Sequence, residues 1–232
     1  FGQRYHESTM FTEIVILFVL VQIILIMKLM KKIQIDDCIV HGKIKKHLEI
    51  KDSILSEISK TSDGDLKQKD SFYTDSISKL DWNKSADIER PWLKIFLSVF
   101  LENLQEAITS IGYAKAVIKN VWYQQYLEGD THGWHIHGEH YTGVYYLEFP
   151  EGCSQTEIVS PYNFKVEKIN VVEGDFIIFP AHCIHRGLPN IKKRKTIISY
   201  NFSIDATPIE GGNLLDLDRI KKVNPNIWHS KN

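Results

Sequence analysis

The sequence predicts an α+β, mainly β fold: a jelly-roll sheet with helices from the N-terminal half packed on it. Three observations carry this. Apolar residues recur at helical spacing as far as Gly112 and at a spacing of two beyond it. The later apolar runs are short and are separated by Gly, Pro, Asn and Asp turns at intervals typical of a sandwich or barrel. A chain of 232 residues buries one sizeable core, so the helices and the sheet are expected to share it.

In order along the chain, residues 1–30 come first and stand apart from the fold. Ile14 to Met27, IVILFVLVQIILIM, is interrupted only by Gln22. Counted on to Met30, with Lys28 snorkelling, the stretch falls just short of the usual spanning length. No positive n-region precedes it, as a signal peptide would require. Lys28, Lys31 and Lys32 follow it, which leaves the main domain cytoplasmic if the segment spans. The chain begins at Phe1, and Met30-Lys31-Lys32 has the form of a start, so the segment is read as either an anchor or a non-native extension.

Residues 31–118 are expected to be mainly helical. An amphipathic pattern covers 33–60, with Ile44, Leu48, Ile54 and Ile58 among charged neighbours. Residues 61–90 are polar and turn-rich and predict a long linking loop. Pro91 suits a first helical turn and Gly112 an end, with Leu93, Phe96, Leu97, Phe100, Leu101 and Leu104 at helical spacing between them. The β core is placed at 119–205. Strands are expected at Val121–Tyr126, Gly143–Phe149, Phe164–Ile169, Asp175–Phe179 and Thr196–Phe202, with a tail at 206–232.

The net charge of −1 gives no electrostatic case for nucleic acid, and Lys192-Lys193-Arg194-Lys195 is the only basic run. Three scattered cysteines argue against a disulfide framework and for a reducing compartment. No CxxC is present, which argues against a cysteine-rich zinc site.

Chemistry concentrates in WYQQYLEGDTHGWHIHGEHYTGVYYL, residues 122–147, which places His132, His135, His137 and His140 close together. His135 and His137 are two apart, so on an extended segment they share a face. His185 follows a later apolar strand in GDFIIFPAHCIHRGLP. Two ligands from one strand end and one from a distant strand can take one face of a metal, leaving the other open, as in non-haem Fe(II) oxygenases. The bland alternative is that the histidines cap turns or satisfy backbone carbonyls. For His140, His132 and His182 that structural or pocket-lining reading is preferred.

In this order and spacing the residues resemble the 2-oxoglutarate/Fe(II)-dependent dioxygenases, in particular their prolyl-4-hydroxylase-like branch and uncharacterised phage and marine-bacterial members. Four stretches carry the resemblance: Tyr126-Leu-Glu-Gly129-Asp130, Trp134-His135-Ile-His137, Thr142-Gly-Val-Tyr145-Tyr146-Leu, and Gly174-Asp175-Phe-Ile-Ile-Phe179-Pro180 followed by His185. The resemblance implies a double-stranded β-helix with helices on the sheet. It also implies a hydroxylase of a protein side chain, an amino acid or a small metabolite, using Fe(II), 2-oxoglutarate and O2. The implied metal ligands, and so the catalytic set, are His135, His137 and His185.

The departure is His137, which stands where the family has Asp. A third neutral imidazole leaves the metal site more positive by one unit. A different phase would make Glu139 the carboxylate ligand, and Asp130 is a further candidate for approaching the metal or orienting a histidine. The co-substrate's far carboxylate needs a cation about ten residues after the distal histidine, and Lys195 and Arg194 are the candidates. Parity favours Lys195: Ile198, Tyr200, Phe202 and Ile204 form an apolar face, while Lys195, Ser199, Asn201 and Ser203 suit a pocket interior. Arg194 remains the alternative for its bidentate fork. Tyr126 and Asn201 complete the candidate co-substrate set. Outside this reading stand a catalytically silent metal-binding β-helix protein and a cupin-like three-histidine enzyme that needs no 2-oxoglutarate.

Overall fold

The structure, a computed structural model, describes residues 39–69 and 74–204. The apolar segment at 1–30, Cys38 and the tail at 206–232 lie outside the described residues. No helix among the described residues is long and apolar enough to cross a membrane.

Twelve strands, two α-helices and one short 3-10 turn are described, all strand pairings being antiparallel. They are β1 (Val40–Lys43), α1 (His47–Ser59), β2 (Leu66–Lys69), β3 (Thr74–Ile77), β4 (Lys79–Leu80), α2 (Pro91–Ser110), β5 (Ala116–Tyr126), β6 (His132–His135), β7 (Tyr141–Glu148), β8 (Thr156–Val159), β9 (Val166–Lys168), β10 (Asp175–Pro180), β11 (His185–Gly187) and β12 (Lys195–Ile204). The larger sheet has the order β1-β10-β7-β12-β5-β4 and the smaller one β6-β11-β8-β9. β2 and β3 form a separate hairpin.

The two faces of the larger sheet carry two cores. On one face Val121, Tyr123, Tyr145, Leu147, Ile178, Ile198, Tyr200 and Phe202 meet α1 and α2 through Ile50, Ile54, Ile58, Trp92, Leu93, Phe96 and Phe100. On the other face Tyr126, Val144, Tyr146, Ile177, Phe179 and Ile197 form a cluster with Ile158 of the smaller sheet. Because alternate residues of a strand point to opposite faces, Tyr145 reaches the helices while Tyr146 reaches the interior. The result is the double-stranded β-helix with helices on its sheet that the sequence predicts.

Two stretches differ from expectation. The amphipathic pattern at 33–60 is not one helix, since β1 pairs with β10 and the helix begins only at His47. Its buried face is His47, Ile50, Ile54 and Ile58, and Leu48 is 85% exposed. The polar stretch at 61–90 is not a featureless loop. It holds β2, β3, β4 and the 3-10 turn Trp82–Lys84. The helix predicted from Pro91 is found as α2, and a buried ion pair fastens its start. Arg90 donates to Asp81 at 2.5 Å and to the Val121 carbonyl at 2.7 Å.

Candidate metal centre and adjoining cavities

The strand register brings the histidines together. β11 pairs with β6 so that His185 stands opposite His135, and His137 follows two residues on in the loop to β7. One ring nitrogen from each of His135, His137 and His185 lies within 4.8 Å of the others. His137 Nε2 and His185 Nε2 are 3.3 Å apart. Two imidazole nitrogens bound at right angles to one metal, each about 2.1 Å from it, stand roughly 3 Å apart.

Hydrogen bonds select the tautomers. His135 Nδ1 donates to the Gly133 carbonyl at 2.7 Å, and His185 Nδ1 donates to the Cys183 carbonyl at 2.9 Å. Both rings therefore spend their proton on the backbone and keep Nε2 as a lone pair for a metal. Burial holds the whole set neutral. It pushes His137 down to about 4, with His135 adding to the effect, lowers His135, and takes His185 and His132 well below the ordinary range.

Lys195 is 4% exposed, and its ammonium lies 4.4 Å from the centroid of the Tyr126 ring, directly across the β12–β5 pairing. Among the described residues no carboxylate pairs with it, and burial pulls it down to about 8. An ammonium placed there without an anion is costly unless it has a ligand to meet. Lys195, Tyr126 and Ser199 line an inner cavity together with His135, His137 and His185. Its free volume is ≈30 Å3, about one water, so a larger ligand must displace lining side chains. Trp122, Gln124 and His132 form the wall it shares with an outer cavity of ≈470 Å3. Leu66 and Ile77 of the hairpin and Leu80 and Trp82 beside it line that outer cavity, and none of its lining residues is Lys or Arg.

Other predicted residues fall elsewhere. Glu139 accepts from Ser203 Oγ at 2.8 Å and is not part of the histidine cluster. Arg194 forks onto the Glu148 carboxylate at 2.8 and 3.0 Å, half-exposed, and does not line the inner cavity. Parity explains this, because adjacent residues on β12 face opposite ways. Asn201 is buried outside the cavity lining, and its Oδ1 has no hydrogen-bond partner. Asp130 does not approach a histidine. Its carboxylate accepts from Ser76 Oγ at 2.7 Å, from the Ser78 amide at 3.0 Å and hydroxyl, and from the Leu127 amide at 2.8 Å. It clasps the hairpin to the end of β5. His132 is a wall of both cavities, His140 accepts from the Ile204 amide at 3.1 Å, and His182 is exposed. Sequence reasoning missed the hairpin, Trp82 and Gln124 as cavity parts, because no spacing within the chain points to them.

No protein-family model matches this chain, and no curated protein matches it in sequence. Solved structures do match it in fold. A 2OG-Fe(II) oxygenase family oxidoreductase from Burkholderia pseudomallei is 10% identical with a TM-score of 0.55, over 71% of this chain and 84% of that one. A prolyl-4-hydroxylase from Pseudomonas putida is 12% identical with a TM-score of 0.52, over 72% and 93%. AviO1 from Streptomyces viridochromogenes Tue57 is 12% identical with a TM-score of 0.53, over 75% and 92%. The backbone that gathers these histidines is thus the double-stranded β-helix of the 2OG-Fe(II) oxygenases.

Proposed function

We propose that this chain is an Fe(II)- and 2-oxoglutarate-dependent oxygenase acting as a hydroxylase. The observation that carries the reading is one cavity that holds both a three-histidine cluster and a buried ammonium with no counter-ion among the described residues. The donor set fits a metal: imidazole suits iron, as it suits zinc, copper and nickel, and the His135 and His185 tautomers leave Nε2 free for it. His135, His137 and His185 would hold the metal, and Lys195 the far carboxylate of 2-oxoglutarate. When bound, metal and co-substrate supply the oxidation of an unactivated C–H bond by O2, with succinate and carbon dioxide released.

The chain's own residues do the rest. The Gly133 and Cys183 carbonyls fix the ring orientations of His135 and His185. Lys195 sets the depth and direction of the dianion, and Tyr126, kept protonated by burial, packs its ring against that ammonium. Trp122 and the hairpin exclude water from the side where substrate enters.

Anaerobic titration with Fe(II) and then 2-oxoglutarate tests the reading. A metal-to-ligand absorption band is expected, and absence of both the band and uncoupled succinate production sinks it. His137→Ala should lose iron and Glu139→Ala should retain it; the reverse result overturns the ligand assignment. A second reading, a three-histidine metal enzyme without 2-oxoglutarate, is favoured by the lack of a carboxylate in the cluster. Lys195 argues against it, since such an enzyme has no dianion to hold.

A further inference from the structure

We infer that Asp75, on the hairpin that borders the outer cavity, is a positioning residue of the metal site and holds His135 through the Gly133 peptide. This rests on the metal reading above. Asp75 is 8% exposed, and its Oδ1 accepts from the Gly133 amide at 2.7 Å. The carbonyl of the same residue accepts the His135 Nδ1 proton at 2.7 Å. One residue therefore links carboxylate to ring: Asp75 fixes the Gly133 N–H, and the Gly133 C=O fixes the tautomer and tilt of His135.

A second path runs through His132. Its ring stacks on that of His135, with centroids 3.8 Å apart and planes 22° from parallel. Its Nε2 lies 4.0 Å from the Asp75 carboxylate, and its Nδ1 lies 3.4 Å from the Gln124 amide nitrogen. His132 is thereby held between Asp75 and Gln124, with its face against the ligand ring. His132 thus buttresses His135 and is not one of the three histidines whose nitrogens converge.

The hairpin that carries Asp75 is itself fixed to the β5–β6 turn. Asp130 binds Ser76 and Ser78, and the Ser76 and Thr131 backbones exchange two hydrogen bonds of 2.8 Å. Leu66 and Ile77 of the same hairpin line the outer cavity. The element against which a substrate would pack is therefore the one that holds a metal ligand. The direct acceptor of a ligating imidazole's other N–H is worth roughly ten- to a hundredfold in metal affinity. For His135 that acceptor is the carbonyl of Gly133, whose amide Asp75 holds.

The test is Co(II) binding to the full chain, read by visible absorption, for the unaltered protein, Asp75→Asn and Asp75→Leu. Asparagine keeps an oxygen acceptor for Gly133, and leucine removes it. Asp75→Leu is expected to lose tenfold or more in Co(II) affinity with an altered ligand-field spectrum, while Asp75→Asn stays within a few-fold and keeps the spectrum. Asp75→Ser, whose hydroxyl is too short to reach Gly133, replaces the leucine variant if that fails to fold, and the same loss is expected of it. Unchanged affinity and spectrum in the variant lacking the acceptor overturns the inference, as does equal impairment of the asparagine variant. If the unaltered protein binds no Co(II), the metal reading itself falls; if it does bind, only the role of Asp75 is at stake.

Discussion

Lys195 links the physics of a single residue to the proposed reaction. Its burial disfavours the charged form and pulls it down to about 8, and its ammonium lies 4.4 Å from the centroid of the Tyr126 ring. A dianion binds the ammonium and not the amine, so affinity for 2-oxoglutarate should be highest where Lys195 is charged. Below about pH 8 the free protein carries the charge and affinity is flat; above it each unit of pH costs up to tenfold. Titrating metal-loaded protein with 2-oxoglutarate at pH 7, 8 and 9 under argon reads this directly. A dissociation constant unchanged from pH 7 to 9 would remove Lys195 from the co-substrate site. Arg194 is one residue away in sequence, yet its charge is already taken by Glu148.

At the level of elements, α2 contributes Trp92, Leu93, Phe96, Phe100, Leu104, Ala107 and Ile108 to the core on one face of the larger sheet. Phe96 is fully buried, stacking on Phe100 at 4.5 Å and on Tyr145 at 5.5 Å between ring centroids. Phe96→Ala should therefore cost about 3–5 kcal/mol, the usual range for a buried aromatic truncated to leave a cavity. Urea unfolding of the variant measures it, and a loss below 1 kcal/mol would mean that α2 is not seated as described. This helix was legible because its own apolar period and its Pro91 start agree with its tertiary role. β5, β7, β9, β10 and β12 were legible for the same reason, as alternation and turn residues point the same way, whereas the three- and four-residue strands β6, β8 and β11 are too short to show a period. The hairpin was not. LKQK and TDSI are mainly polar, with no aromatic residue and no sustained apolar alternation, and what holds them is Asp130 and Thr131, more than fifty residues on. β1 was hidden similarly, since VHGK becomes a strand only by pairing with β10. The site divides along the same line. His135 and His137 are close in sequence and His185 closes a recognisable segment after β10, whereas Asp75 and Gln124 reach the histidines only through tertiary pairing.

For the whole molecule, the candidate ligands are distributed over both sheets. His135 and His185 belong to the smaller sheet, His137 lies in the loop that leads to the larger one, and Lys195 starts β12 within the larger one. A metal alone would therefore tie β6, β11 and that loop, while a co-substrate reaching from metal to Lys195 would tie one sheet to the other. Ligands that bind only the folded state stabilise it by mass action, about 2.7 kcal/mol at a concentration a hundred times the dissociation constant. For a domain of this size that raises the melting temperature by roughly 5–10 °C. Metal should give one such increment in a thermal scan under argon, and 2-oxoglutarate a second that appears only when metal is present. Lys195→Met should keep the first and lose the second, and His185→Ala should lose both. A second increment without metal, or one surviving in Lys195→Met, would mean that the dianion does not bridge the sheets.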